Sequence, residues 1–314
     1  MSFSLTTKNE IAGLIPGRAC CRLAEFAALL RMDGTVQLSS HFQVALLIHT
    51  SNPAVARKIF KLAKGIFDVQ TEILVMKNNK LKKQNIYQVR IPPQEKVNTV
   101  LESIGITSGG LLNFKDTFNA DIVSKSCCRR AYLRGVFLGG GSVNSPEGTY
   151  HLEILTNDMY HAKAMVKIMQ SFNLPAKITT RKNWHIVYLK GSENIVMFLN
   201  VIGAHRALME FENVRVLKEV RNGVNRLVNC ETANLNKMVD AASRQIQAIT
   251  YIKDTVGLDF LSPALQEVAE LRLEKPEESL KELGESCNPK LGKSGINHRM
   301  RKIEEIAEEI KSST

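Results

Sequence analysis

Apolar and polar positions follow two rhythms along this chain. Over roughly the first two thirds, short alternating runs recur between helical stretches. Val44–Asn52 and Tyr150–Asp158 have the alternation of half-buried strands. Each is followed by a helical period, Val55, Ile59, Leu62 and Ile66 in one case and Ala162, Met165, Ile168 and Met169 in the other. Two strand-like runs around a polar turn come next: Ile73–Met76 with Ile86–Ile91, and Ala176–Thr180 with His185–Leu189. Each series closes on a helix ending in Ile-Gly, at Ile104-Gly105 and Ile202-Gly203. Past about residue 221 the alternation stops and helical periods take over. One helix is predicted from a Thr232 cap, with Leu235, Met238, Val239, Ala242, Ile246 and Ile249 on a stripe. Another opens at Ser262-Pro263. A third opens at Pro276, with Glu277 and Glu278 at its positive end, and runs through Leu280 and Leu283 to a turn at Gly284. The last starts near Ser294 and buries Ile296, Met300, Ile303, Ala307 and Ile310.

The first series is repeated by the second. CCRLAEFAALLRMDGTV from Cys20 and CCRRAYLRGVFLGGGSV from Cys127 share Cys-Cys-Arg, then Ala24/Ala131, Gly34/Gly141 and Val36/Val143, at one constant offset. The same order of elements twice, ending on the same dipeptide, predicts two αββαββα copies about a pseudo-twofold axis, with their opening helices facing each other. Leu23, Phe26, Ala27 and Leu30 supply an apolar face on the first helix. Gly135 and Gly139 on the second remove the side chains that would hold the backbones apart.

Composition narrows the class. Of 314 residues, 44% are hydrophobic and 23% charged, which describes a globular protein rather than a disordered one. The net charge is +11. The whole surplus lies in residues 1–219, and residues 220–314 are balanced to within one charge. A basic surface on the first part implies a polyanionic partner, nucleic acid above all. With aromatics at only 6%, a stacking platform for single strands is not expected. Six cysteines in so long a chain exclude a disulfide scaffold and suit reduced thiols. The first residues lack a signal-peptide pattern, and the longest apolar stretch, Ile195 to Ala204, is too short to span a bilayer. A soluble cytoplasmic protein, with no membrane partner, is the expectation.

Charge also concentrates locally. Lys77, Lys80, Lys82 and Lys83 crowd the first hairpin, with Arg90 on its return strand; Lys177, Arg181 and Lys182 occupy the equivalent place in the second, ahead of Asn183 and Trp184. These are candidate phosphate contacts, weighed against the use of edge lysines to block aggregation. Between Lys290 and Lys302 five basic residues occur with no acid, and Glu304, Glu305, Glu308 and Glu309 then reverse the sign. A recognition helix that inserts its first turns in the major groove has that asymmetry. Asn297, His298, Arg299 and Arg301 are placed to reach bases, and Lys290, Lys293, Ser294 and Lys302 suit the phosphate backbone.

Other chemistry is not indicated. Symmetry would gather Cys20-Cys21 and Cys127-Cys128, but adjacent helical residues point about 100° apart and no C-x-x-C spacing is present, so inert thiols and no metal site are expected. No Lys-Ser/Thr follows Gly139-Gly140-Gly141 to make a phosphate loop. No histidine is spaced for a metal with a carboxylate, and no nucleophile has a base nearby in sequence. No cofactor is expected.

FAALLRMDG (Phe26–Gly34) and LRGVFLGGG (Leu133–Gly141) resemble two degenerate LAGLIDADG helices of homing endonucleases. The resemblance implies paired αββαββα halves whose sheets form a saddle on DNA. Cleavage in that family needs an acid at the end of each helix to hold two divalent cations. Asp33 keeps one, while Gly140 stands at the matching place, so the resemblance implies a scaffold without the nuclease reaction. With the C-terminal helices added, the whole chain resembles the WhiA family of bacterial regulators. RLVNCETANLNK (Arg226–Lys237), KSGINHRMRKIEEIAEEI (Lys293–Ile310) and LRGVFLGGGSVN followed by YHLEI are especially similar. That resemblance implies an α+β protein: a pseudo-twofold duplicated αββαββα LAGLIDADG-like domain, with halves at 1–110 and 111–220, then an all-α helix-turn-helix domain at 221–314.

It also implies a non-catalytic, sequence-specific transcriptional regulator in cell division, chromosome segregation and, in sporulating bacteria, sporulation. Its location would be cytoplasmic and nucleoid-associated. Double-stranded promoter DNA would be its partner, with another regulator or an RNA polymerase subunit as a further one. The helix-turn-helix set is then Ser279, Leu280 and Lys281 together with the eight residues from Lys290 to Lys302 named above. Two alternatives stand beside this: an active homing endonuclease or maturase, and a division adaptor acting mainly through protein contacts.

Overall fold

A helix that the sequence pattern did not predict stands ahead of the first repeat. In the computed structural model, which describes residues 2–38, 43–77, 85–107 and 118–313, α1 (Phe3–Ala12) precedes the repeated unit and buries Phe3, Thr7, Ile11 and Ala12. The first unit then runs α2 (Ala19–Asp33), β1 (Gly34–Leu38), β2 (Val44–Thr50), α3 (Pro53–Phe67), β3 (Glu72–Lys77), β4 (Asn85–Ile91) and α4 (Lys96–Ser103). After a short 3-10 turn at Ala120–Val123 the same order returns. It comprises α5 (Ser126–Gly140), β5 (Gly141–Val143), β6 (His151–Thr156), α6 (Met159–Gln170), β7 (Lys177–Arg181), β8 (Trp184–Lys190) and α7 (Ser192–Ile202).

The two sheets have one topology. Strand order is β1-β2-β4-β3 in one and β5-β6-β8-β7 in the other, all antiparallel. Local signals repeat as well. Asn52 Oδ1 accepts from the Ala54 N–H at 2.8 Å to cap α3, and Asp158 Oδ1 accepts from the Tyr160 N–H at 2.8 Å to cap α6. At the closing Ile-Gly of each half the glycine is left-handed, φ +74 at Gly105 and +81 at Gly203. The next residue's N–H reaches back to Leu101 or Leu199, each at 2.9 Å, which closes the helix ends that the sequence announced.

At the centre α2 and α5 lie side by side and in the same direction. A Cβ added at Gly135 would stand 2.6 Å from Ala28 Cβ, and one at Gly139 2.6 Å from Met32 Cβ. The glycines therefore permit the close approach predicted for them. Phe26, Leu29, Leu133, Val136 and Phe137 are fully buried along this seam. Their core continues onto the inward faces of both sheets through Leu46, Ile48, Leu152 and Ile154. Glu25 lies wholly buried in it, met by the Lys58 ammonium and, at 3.4 Å, by the Arg134 guanidinium. Lys58 also donates to the Ile11 and Leu14 carbonyls, so the buried charge is paired and ties α1 to α2 and α3.

Chain contacts divide the protein into residues 1–219 and 220–314. α8 (His205–Thr255) contributes residues to both, so Thr232 is not a cap but lies mid-helix. Nothing between His205 and Thr255 breaks a helix except Gly223, and no proline occurs there, which is why the chain does not pause at a good capping residue. The second unit adds α9 (Pro263–Glu274), α10 (Leu280–Ser286) and α11 (Lys293–Ser313) around Ile249, Ile252, Val268, Leu283, Ile296, Met300, Ile303 and Ala307. No helix among the described residues is long and apolar enough to cross a membrane.

Candidate nucleic-acid interface

α10 and α11 form the helix-turn-helix, with boundaries that differ from the sequence expectation. α10 starts at Leu280 rather than Pro276, because Ser279 and Glu282 close a capping box: the Glu282 N–H donates to Ser279 Oγ at 3.4 Å and the Ser279 N–H to Glu282 Oε2 at 2.8 Å. That hydrogen bond holds the Glu282 carboxyl below its ordinary range. Pro276 and Glu278 instead belong to the preceding turn, where their carbonyls accept from buried Arg272 at 3.4 and 2.7 Å. Gly284 lies inside α10 rather than ending it. A Cβ there would fall 2.2 Å from the Leu291 oxygen, and the Leu291 N–H donates to the Gly284 carbonyl at 2.8 Å, so the glycine lets the turn fold back onto the helix. The turn is therefore Cys287–Gly292.

α11 buries Ile296, Met300, Ile303 and Ala307, which puts Ser294, His298, Arg301 and Lys302 on the opposite, solvent face. Lys290 is exposed in the turn and Lys293 at the first residue of α11, Asn297 is half-buried, and Ile310 is only partly covered. Ser279 and Leu280 are half-buried at the start of α10 and Lys281 is exposed there. Arg299 departs from the expected base-reading role: its Nη1 donates to the Ala264 carbonyl at 3.1 Å and lies 3.9 Å from Glu267, so it clamps α11 to α9. Lys302 pairs with Glu305 at 3.2 Å, both well exposed, an arrangement that phosphate would readily displace.

In the first unit, Lys80, Lys82 and Lys83 lie outside the described residues, and Lys77 is exposed at the end of β3. Arg90 is paired with Glu72 at 3.2 Å across β3–β4. On the second hairpin Arg181 faces Trp184 across a tight turn at Lys182 (φ +55) and Asn183. Register puts Lys177, Arg181, Trp184, Tyr188 and Lys190 on the same outward face of their sheet. The corresponding face of the first sheet carries an apolar patch of Leu47, Leu74, Met76 and Ile86 beside His49, Gln88 and the Arg90–Glu72 pair.

At the other ends of the paired helices lie the residues that the LAGLIDADG resemblance singles out. Asp33 lines an open depression of about 600 Å³ with Lys8, His49, Asn52, Gly139 and Ser142. Burial raises its carboxyl to about 6, partly opposed by the charge of Lys8. Lys8 Nζ donates to the Gly139 carbonyl at 3.5 Å, and its own pKa is lowered by burial. An ammonium thus lies beside the one carboxylate, and Gly140 at the matching position of α5 offers no second one. Sequence reasoning missed Lys8, since α1 has no counterpart in the repeat.

Sequence reasoning also set aside a second cluster. Cys20, Cys21, Cys127 and Cys128 come together, with all four Sγ atoms within 4.8 Å of one another.

Comparison with known proteins gives three family-model matches: a WhiA N-terminal LAGLIDADG-like domain over residues 19–107, a WhiA LAGLIDADG-like domain over 129–221, and a WhiA C-terminal HTH domain over 224–307. Proteins named probable cell division protein WhiA are similar over nearly the whole chain. That of Desulforamulus reducens is 54% identical, covering 99% of this chain and 97% of its own. That of Clostridium botulinum is 48% identical, covering 99% of each. Among solved structures, full-length DUF199/WhiA from Thermatoga maritima matches with a TM-score of 0.60 at 28% identity, covering 98% of this chain and 99% of that one.

Proposed function

Because the chain belongs to the WhiA family, and its helix-turn-helix exposes a basic face, we propose that it is a non-catalytic, sequence-specific DNA-binding regulator of cell division. The observation that carries this reading is the solvent face of α11. Lys293, Ser294, His298 and Arg301 lie along its first three turns and the acidic residues follow only afterwards, as a helix lodged by its N-terminal end in the major groove requires. His298 and Arg301 read base edges; Lys290, Lys293, Ser294 and Lys302 hold phosphates; Ser279 and Lys281 position α10 on the backbone. Arg299 acts one step removed, by fixing the angle of α11 on α9.

In this reading the LAGLIDADG-like unit is a platform rather than a cutter. Its second hairpin, with Lys177, Arg181 and Lys182, adds phosphate contacts, and Lys77, Lys80, Lys82 and Lys83 do the same from the first. Transcriptional control of division, chromosome segregation and, in spore formers, sporulation genes is the process, with promoter DNA the partner and the nucleoid the location. Another regulator or an RNA polymerase subunit would be the protein partner. The apolar patch on the outward face of the first sheet favours a second reading, a division adaptor acting mainly through protein contacts. In that case, Arg301→Ala with His298→Ala would abolish promoter binding and leave division normal.

Fluorescence anisotropy of the intact protein on fragments recovered from its own genome tests the main reading. Affinity falls on raising salt from 50 to 200 mM by about a hundredfold or more, and Arg301→Ala weakens the specific site by about tenfold while sparing random DNA. Salt-independent binding would overturn it. Incubation with supercoiled target plasmid and Mg²⁺ leaves the plasmid intact; scission that Asp33→Ala abolishes would restore the endonuclease reading.

A further inference from the structure

The geometry points to a zinc-class tetrathiolate site formed by Cys20, Cys21, Cys127 and Cys128, which clamps the two halves of the first unit together on their pseudo-twofold axis. Spacing in sequence argues against it, since neither pair is C-x-x-C. The fold supplies what the spacing lacks. Each pair occupies the second and third positions of its helix, α2 or α5, and the two helices run side by side from the same end, so one pair meets the other. Adjacent Cβ atoms diverge by about 100°, but at a helix head the two sulfurs need only converge on a point just beyond the first turn.

The distances select the kind of occupant. A tetrahedral ion with metal–sulfur bonds of about 2.3 Å sets its sulfurs about 3.8 Å apart. The four Sγ atoms already lie within 4.8 Å of one another, so rotation about the Cα–Cβ bonds brings them onto one ion. A cubane iron–sulfur cluster interposes four irons and holds its thiolates farther out than this arrangement allows. Bound zinc stays Zn²⁺ throughout: four thiols release four protons to solvent, four Zn–S bonds form, and no oxidant or reductant takes part.

The surroundings favour the resulting negative charge. All four cysteines lie in the first turns of α2 and α5, at the positive dipole ends of both helices. Arg18 Nη1 lies 3.7 Å from Cys127 Sγ, and Lys125 precedes α5 as Arg18 precedes α2. Cys21 and Cys128 are buried and Cys20 and Cys127 half-buried. The cluster stands a whole helix length, about 20 Å, from Asp33, so its role is structural.

Elemental analysis of the full-length protein, purified under reducing conditions without chelator, finds about one zinc per chain. Cobalt(II) replacing it gives the strong visible bands and sulfur-to-metal charge transfer of a tetrahedral thiolate site. Cys20→Ser with Cys127→Ser, chosen because these two are half-exposed, reduces zinc to below about a tenth per chain, while Cys230→Ser retains it. Zinc addition raises the thermal midpoint of the native chain but not of the double variant. Should the double variant fail to fold, the cobalt spectrum of the native chain decides alone. The proposal is overturned if the reduced native chain binds no zinc at equimolar concentration, if cobalt gives a weak octahedral spectrum, if iron with sulfide is found instead, if thiol titration shows Cys20–Cys128 disulfides, or if a folded double variant keeps its zinc.

Discussion

At the scale of single residues, the tips of the paired helices are defined by Asp33, Gly140 and Lys8. The absence of a second carboxylate was legible in the repeat, since Gly140 stands opposite Asp33. The ammonium beside it was not, because α1 lies outside the duplicated unit and its residues carry no internal comparison. The arrangement has a pH consequence. Asp33 holds its proton to about 6 in the folded state against an ordinary value of 3.8, because burial disfavours the charged form. The folded chain therefore binds more protons than the unfolded one between those values. Stability from this group is complete below about pH 4 and is lost as pH rises through 6. Asp33→Asn removes the cost of the charge. It stabilises the protein at pH 7.5 by about 1–2 kcal/mol, with half-exposure reducing the full linkage value, and leaves it unchanged at pH 4. Denaturant midpoints at both pH values check this; a destabilised variant at pH 7.5 would show that the carboxylate is held in use.

At the scale of elements, the strands and the repeated helices were legible because alternation and helical period are written directly in side-chain type. Asn52 and Asp158 marked helix starts, and the two Ile-Gly pairs marked helix ends. What was not legible depended on tertiary contacts. Arg299 sits among base-reading candidates by spacing, yet α9 lies within its reach and takes it. Arg299→Ala is expected to cost the C-terminal unit about 1 kcal/mol, seen as a lowered melting temperature, whereas exposed Arg301→Ala leaves melting unchanged and weakens DNA binding. The helix seam offers a sharper test. Gly135→Ala puts a methyl 2.6 Å from both Ala28 Cβ and the Glu25 carbonyl oxygen, and should destabilise by about 2–4 kcal/mol. Gly148→Ala meets nothing closer than 3.7 Å and should cost less than about 0.5 kcal/mol. Equal effects in chemical denaturation would contradict the close approach of α2 and α5.

At the scale of the whole molecule, a duplicated scaffold that carries the positive surplus is joined in one chain to a neutral helical unit with a basic recognition face. On the proposed function, long-range attraction to the duplex and local reading of bases would reside in different parts. Duplication and charge asymmetry were both legible from sequence. The meeting of the four cysteines was not, because it depends on the two helices starting from the same end. The most direct test of the central claim is a genome-wide chromatin footprint of the intact protein in its own cells, compared with Lys293→Glu plus Arg301→Glu at equal abundance. Discrete promoter peaks that fall by about tenfold or more in the variant are predicted. Peaks that persist undiminished, or a native protein that occupies no discrete sites, would contradict it.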